Sequence, residues 1–242
     1  MIRKYCFRLD RQCPAHTSYA LYAAALDRAV GNFAALTHED KSTPVAQYVH
    51  GDRWHISLLT DTACEALGPV LDNMEPVRLD WNGQWLTLAP PTVACFDPQD
   101  CRRFRFGQMQ FHTPTAFRAN NAYQILPIQQ LMLQSLIGKW NMAFGEKLPP
   151  ELAQELAALL IYRKAEVKSD VYHMKKQQIP GFTGTLDVQI RDEGELGLLL
   201  SKLLTFGSFS GVGIKTALGM GGMTIHAQTK SRGANKQNYR SK

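Results

Sequence analysis

No Cys-x-x-Cys pair occurs in these 242 residues; the five cysteines stand apart at 6, 13, 64, 95 and 101. An odd, scattered set argues for reduced thiols and against a structural zinc site. There is no His-x-x-x-His and no Asp-x-Asp, so the sequence offers no evident metal cluster. No apolar run approaches the roughly 20 residues that span a bilayer. Met1-Ile2-Arg3-Lys4-Tyr5-Cys6 runs straight into a strand pattern without a signal-peptide profile, so a cytoplasmic protein without membrane contact is expected. A nucleotide-hydrolysing P-loop is missing too. Ile214 separates Gly213 from Lys215-Thr216, and too little chain follows to build the helix and sheet that such a loop serves. Acids are absent from the stretch Thr229 to Lys242, which holds Lys230, Arg232, Lys236, Arg240 and Lys242; these five account for all but one unit of the formal +6. That tail is polar and unpatterned, and is expected to be disordered. It serves either as a solubilising end or as a sequence-blind phosphate contact.

What the chain has in abundance is glycine near its end. Six glycines and one lysine fall between Phe206 and Gly222. Glycine is costly to order, so this density implies backbone at positive φ or in close approach to something. One reading is an anion cradle of mobile amides around Lys215. The other is a loop that merely closes a small sheet.

Arg3 to Leu9 alternates as a strand would, and Thr17 to Leu36 places apolar residues at helical spacing. Pro44–Tyr48 and Trp54–Leu59 read as a hairpin about His50-Gly51-Asp52, followed by a helix from Asp61 or Thr62 to Leu71. Val77 to Leu88 offers strand material around the hairpin dipeptide Asn82-Gly83. The order is β-α-β-β-α-β, the ferredoxin-like arrangement. Pro90-Pro91 reads as a linker, after which a similar order recurs with extra helices. It comprises a strand at Phe104–His112, helices at Pro127–Phe144 and Glu151–Leu160, and strands at Glu166–Met174 and Gly184–Ile190 around Pro180-Gly181. A helix at Glu195–Leu204, the glycine loop and a closing strand complete it. The expected fold is therefore α+β: two tandem ferredoxin-like (RRM-like) domains, each on an antiparallel βαββαβ sheet. An N-terminal domain would cover 1–89, a C-terminal domain 92–228 and the basic tail 229–242.

With these residues in place the sequence resembles the CRISPR-associated endoribonucleases of the Cas6 type, in the RAMP superfamily. Three stretches carry the likeness. The first is Leu36-Thr37-His38-Glu39-Asp40, after the first helix. The second is Thr113-Pro114-Thr115-Ala116-Phe117-Arg118, with Leu126-Pro127-Ile128, Lys139-Trp140-Asn141 and Pro180-Gly181-Phe182-Thr183-Gly184. The third is the glycine-rich signature from Phe209 to Gly221. The resemblance implies binding of CRISPR repeat RNA and cutting of precursor crRNA without a metal or other cofactor. It admits contact with other Cas effector subunits and a homodimer. A non-catalytic RAMP subunit that caps guide RNA would use the same fold and loop.

RNA carries its own nucleophile, so such a protein must hold an in-line geometry, manage two protons and stabilise charge. A histidine titrating near neutrality suits the proton work. Of seven histidines, His38 matches the family position, and His50 in the hairpin connector is the reserve. His55 reads as a strand residue, His16 as a helix cap and His112 as an RNA contact, whereas His173 and His226 have no distinguishing feature. The resemblance makes Tyr22 and Lys41 the nearest catalytic helpers, although Tyr22 also falls on the apolar stripe of its helix. Lys215, with Gly211, Gly213, Gly219 and Gly221, is the candidate phosphate contact. Arg102, Arg103 and Arg105, alternating with Phe104 and Phe106, would make one sheet face basic. Lys175 and Lys176, near Arg163, Lys164 and Lys168, form a second basic region. A hairpin stem offers phosphates and 2′-hydroxyls rather than readable edges, so basic loops suffice to hold it.

Overall fold

The computed structural model describes residues 1–29, 44–79, 83–174 and 177–228. His38 and Lys41, the Lys175-Lys176 pair and the tail lie outside the described residues.

The first unit opens with β1 (Ile2–Arg8), which turns Tyr5 and Phe7 into one core and leaves Lys4 and Cys6 on the other face. α1 (Thr17–Arg28) buries Leu21, Tyr22 and Ala25. It ends at Arg28, short of the expected Leu36, because Ala29 is already extended. β2 (Val45–His50) and β3 (Arg53–Leu58) form a tight hairpin whose turn uses Gly51 at φ +63°. α2 (Asp61–Asp72) is capped by Thr60, whose hydroxyl accepts the Ala63 amide at 3.2 Å.

The fourth sheet strand is not where the sequence placed it. Val77–Arg78 (β4) and Trp85–Leu86 (β5) form only a two-stranded ribbon, with Gly83 at the positive φ that its hairpin dipeptide foretells. β6 (Thr92–Phe96), beyond the proline pair, pairs with β1 instead. Pro90-Pro91 thus sits inside the first unit's sheet connectivity. The antiparallel order is β2-β3-β1-β6, with Trp54, Ile56 and Leu58 buried between the sheet and its two helices.

The second unit repeats that order. β7 (Phe106–Thr115) is followed by a small ribbon of β8 (Phe117–Ala119) and β9 (Ala122–Gln124), then by α3 (Gln129–Phe144) and α4 (Leu152–Leu159). β10 (Leu160–Met174) and β11 (Gln177–Ile190) make one long hairpin, with β11 running through Pro180-Gly181, which the sequence reading leaves between two strands. Only β10 pairs with β11 at Pro180, since the register with β7 begins at Phe182; the ring can therefore lie on an unpaired side. α5 (Glu195–Ser210), a 3₁₀ turn at Thr216–Leu218 and β12 (Met223–Gln228) close the sheet, whose order is β10-β11-β7-β12.

The two units share buried surface. Phe96 of β6 packs among Phe206, Phe209, Trp140 and Phe144, with ring centres 5.3 to 6.1 Å away. Ile2, Ala46 and Leu59 join the same second core. Among the described residues no helix is long and apolar enough to cross a membrane.

Candidate functional site

The glycine loop is a packed hub, not an open cradle. Several of its amides already have acceptors: Val212 donates to Gly221, Ile214 to Ala116, Leu218 to Lys215 and Gly221 to Pro114. The Gly213 amide donates to Ser135 Oγ and that of Gly222 to Thr113 Oγ1, each at 2.9 Å. Gly221, at φ +68°, would drive a Cβ into the Val212 carbonyl, and Gly219, at φ +105°, into Ser18 and Tyr172. Close packing against backbone and side chains thus accounts for Gly219 and Gly221 at their positive φ. Gly211 and Gly213 also have positive φ. Lys215 stands partly exposed in the same left-handed region, at φ +55°.

Side chains from both units grip this loop. Gln47 of β2 donates to the Ala217 carbonyl at 3.0 Å while its Oε1 accepts the Trp54 indole N–H at 3.0 Å. Tyr172 of β10 donates to the Leu218 carbonyl and lies 3.2 Å from Ser18 Oγ at the start of α1. From α3, Lys139 reaches the carbonyls of Ser210 and Gly211 and the Thr216 hydroxyl, at 3.0, 3.1 and 3.1 Å. Burial pushes the Lys139 ammonium down to about 7, against the pull of these three acceptors towards the charged form.

Beside the hub lies a groove of about 550 Å³ between α1, the β4 ribbon and the end of β10, lined by His16, Tyr19, Asp27, Arg78, Tyr172 and His173. His16 makes no side-chain cap bond to α1, contrary to the reading of it as a cap. Burial, then the nearby His173, lowers its pKa. Sequence reasoning passed over this set because its members are far apart in the chain. The one available signal was the position of His173 two residues before the lysine pair. Tyr22 points elsewhere: it is buried in the first core, where burial raises its phenol pKa.

A second groove, about 460 Å³, holds the arginines. Arg102, Arg103 and Arg105 are exposed and precede β7 instead of alternating along it, so they form a basic loop, not a basic sheet face. Buried Phe104 anchors them, Arg105 lies 5.4 Å from the Phe106 ring, and Asp192, Glu193 and Gln228 complete the walls.

A run of rings joins the two sheets. Tyr48 stacks between His55 (4.6 Å) and His112 (5.6 Å), and His50 lies 4.9 Å from His112. His112 Nε2 bonds Thr224 Oγ1 at 2.9 Å, which makes it a structural link between strands. Lys4 Nζ donates to the Ser208 carbonyl at 2.6 Å and lies 5.3 Å from the centre of the Tyr48 ring. Burial pushes Lys4 down to about 8, His112 to about 4 and His55 to about 3; neighbouring cations add to both histidine shifts.

Tandem antiparallel sheets of this order, the second closed by a glycine-rich loop, define a protein of two ferredoxin-like units. The family model for the CRISPR-associated endoribonuclease Cas6 matches residues 109–223, from β7 to the first residue of β12. A Cas6 endoribonuclease of Streptococcus thermophilus is 32% identical over 119 residues, 48% of this chain and 48% of that protein. The one from Mycobacterium tuberculosis strain CDC 1551 / Oshkosh is 27% identical over 235 residues, 90% of this chain and 74% of the relative. The alignments thus span about half the length of the first relative and three quarters of the second. A solved Cas6 product complex shares the fold, with a TM-score of 0.76 at 22% identity over 94% of this chain and 100% of that one. Over residues 109–223 the chain is thus similar to the CRISPR-associated endoribonuclease Cas6 family.

Proposed function

We propose that this chain is an endoribonuclease that binds CRISPR repeat RNA and cuts precursor crRNA. The observation that carries the reading is the groove between α1 and the end of β10, whose wall residue Tyr172 is bonded to the glycine loop at the Leu218 carbonyl, within a chain whose relatives are named as such enzymes. RNA supplies the nucleophile. The 2′-oxygen beside the scissile phosphate forms a new bond to phosphorus as its proton passes to a base. The bond from phosphorus to the next 5′-oxygen breaks, and that oxygen takes a proton from an acid. The products are a 5′-hydroxyl and a 2′,3′-cyclic phosphate, which opens to a 3′-phosphate on hydrolysis. No step requires a metal.

His38 is the residue proposed for the proton work, with Lys41 beside it in sequence and Lys215 on a non-bridging oxygen of the phosphate. Tyr22, set in the first core, is assigned to hold α1 in place. Arg102, Arg103 and Arg105, with Lys175 and Lys176, hold the stem by its phosphates. The amides of the glycine loop shape the seat of Lys215 without touching RNA themselves.

The test is cleavage of the cognate repeat in EDTA, beside the same RNA with a 2′-deoxy at the cut nucleotide. The first is cut and the second survives. His38→Ala slows cutting at least about 100-fold with affinity retained. Tight binding with no cutting by the unaltered protein would reassign the chain as a guide-capping subunit, and full activity of His38→Ala would move the proton work to His50.

A further inference from the structure

We infer that Lys139 is a positioning residue that sets where Lys215 stands, so that a side chain on α3 governs how tightly the glycine loop holds an RNA phosphate. The inference rests on the RNA-binding reading above and adds a residue that reading does not use.

Ser210 is the last residue of α5 and Gly211 its C-terminal cap. Their carbonyls are among those a helix end leaves without intrahelical partners, at the negative pole of the helix dipole. The Lys139 ammonium donates to both, and its third contact is the Thr216 hydroxyl. An ammonium has three donors, so all are engaged. Residues 210 and 211 stand on one side of the arc and residue 216 on the other; Lys215 precedes Thr216 directly. A single charge therefore closes the arc that carries Lys215 at its far end.

Ser135, one helical turn before Lys139 on α3, takes the Gly213 amide in the middle of the same arc at 2.9 Å. The two side chains make α3 a template for residues 211–216. Lys215 pays for this seat with left-handed backbone, φ +55°, which costs a residue with a side chain about 1 kcal/mol. The Leu218 and Met220 amides both donate to its carbonyl, at 2.9 and 3.3 Å, so the backbone is held on the far side as well. Lys139 itself is half-buried, with its three donors engaged by the arc. Its influence on RNA must pass through the arc.

The experiment is a double-mutant cycle on the full chain, with Lys139→Met and Lys215→Ala read by anisotropy of a labelled cognate repeat hairpin across a salt series. Lys215→Ala weakens binding about tenfold, as loss of one charged hydrogen bond does. Lys139→Met weakens it by a similar factor, and the double variant is no weaker than Lys215→Ala alone. Both single variants flatten the salt slope by about 0.7 to 0.9, the loss of one phosphate contact, which a purely structural defect would leave unchanged. Lys139→Arg restores most of the slope.

Losses that multiply in the double variant, or a Lys139→Met protein with full affinity, overturn the inference. Full affinity in Lys215→Ala instead overturns the phosphate role of Lys215, a separate failure visible in one single variant. Should Lys139→Met fail to fold, Ser135→Ala takes its place in the cycle, with the same coupling expected and additivity again overturning the idea.

Discussion

The two ferredoxin-like units share one strand order and use it differently. In the first, the β2–β3 hairpin has six-residue strands, and the passage from second helix to last strand is a small ribbon with the proline pair. In the second, the matching hairpin has strands of 15 and 14 residues, and the matching passage is the glycine loop. The ribbon packs within its own unit, where Leu79 and Leu86 complete the first core. The glycine loop reaches out to α1, β2, α3 and β10. One topology therefore carries a self-contained ribbon in one copy and, in the other, a loop that ties the two units together, and the difference lies in what is inserted at two equivalent positions.

The sharpest way to break this comparison is to place the same change in both passages. Gly83 and Gly221 have nearly equal φ, +65° and +68°. A Cβ on Gly83 would lie 3.6 Å from the Arg78 guanidinium, ordinary contact, whereas one on Gly221 would collide with the Val212 carbonyl. Gly83→Ala should cost about 1 kcal/mol, the backbone term alone. Gly221→Ala should cost more than about 3 kcal/mol, because buried backbone must also move. Urea midpoints measure both. Equal losses would mean that the glycine loop is no more constrained than the ribbon.

The same contrast decides what could be read from the sequence. Tyr5, Phe7, Trp54 and Ile56 alternate cleanly, so β1, β3 and the order of the first unit were legible. Val77–Leu88 was recognised as a hairpin but mistaken for the fourth strand. The true one, Thr92–Phe96, is an edge strand that buries only Phe96, so it carries no alternation to detect. In the second unit the sequence reading starts the strand only at Gly184, since nothing local reveals that β11 has a free side at Pro180. The glycine signature located the hub but left its chemistry open: glycine density reports constraint, and a packed backbone demands it as strongly as an anion does. Lys139 was visible only as part of a motif. Its role depends on Ser210 and Thr216, more than 70 residues away, and no local pattern encodes that.

The junction between the units gives a pH test of intermediate size. His112 faces Tyr48, His50, Lys4 and His226, and His55 faces Lys4, Arg53, His50 and His112. His55 Nδ1 and His112 Nδ1 are buried without a hydrogen-bond partner among the described residues. Both imidazoles are depressed, so the unfolded chain binds their protons first as pH falls. Their neutral, folded form is fully favoured above about 6.5, the ordinary histidine value. Stability drains away as pH falls towards about 4 for His112 and about 3 for His55. After allowing for the partial exposure of His112, its share is about 2 kcal/mol. His112→Gln should therefore lose less stability than the unaltered protein between pH 7.5 and 4.5. Parallel losses in the two proteins would show that carboxylates elsewhere, and not the ring stack between the units, set the acid limit.

The smallest effect concerns how each unit's last strand continues. β6 leads back into the chain, whereas β12 ends at Gln228, and Ala227 and Gln228 form part of the wall of the groove that holds Arg102, Arg103 and Arg105. The five cations of residues 229–242 thus follow directly from a groove that is already basic. If tail and groove track one RNA backbone, each phosphate neutralised by the tail contributes about 0.7 to 0.9 to the salt slope. Removing residues 229–242 should then weaken binding only about two- to fivefold near physiological salt while flattening the slope by about one to two. Combining the deletion with Arg102→Ala and Arg103→Ala should lower the slope further, because groove and tail would neutralise different phosphates. A slope unchanged by the deletion would make the tail a solubilising end and leave the arginine loop to act alone.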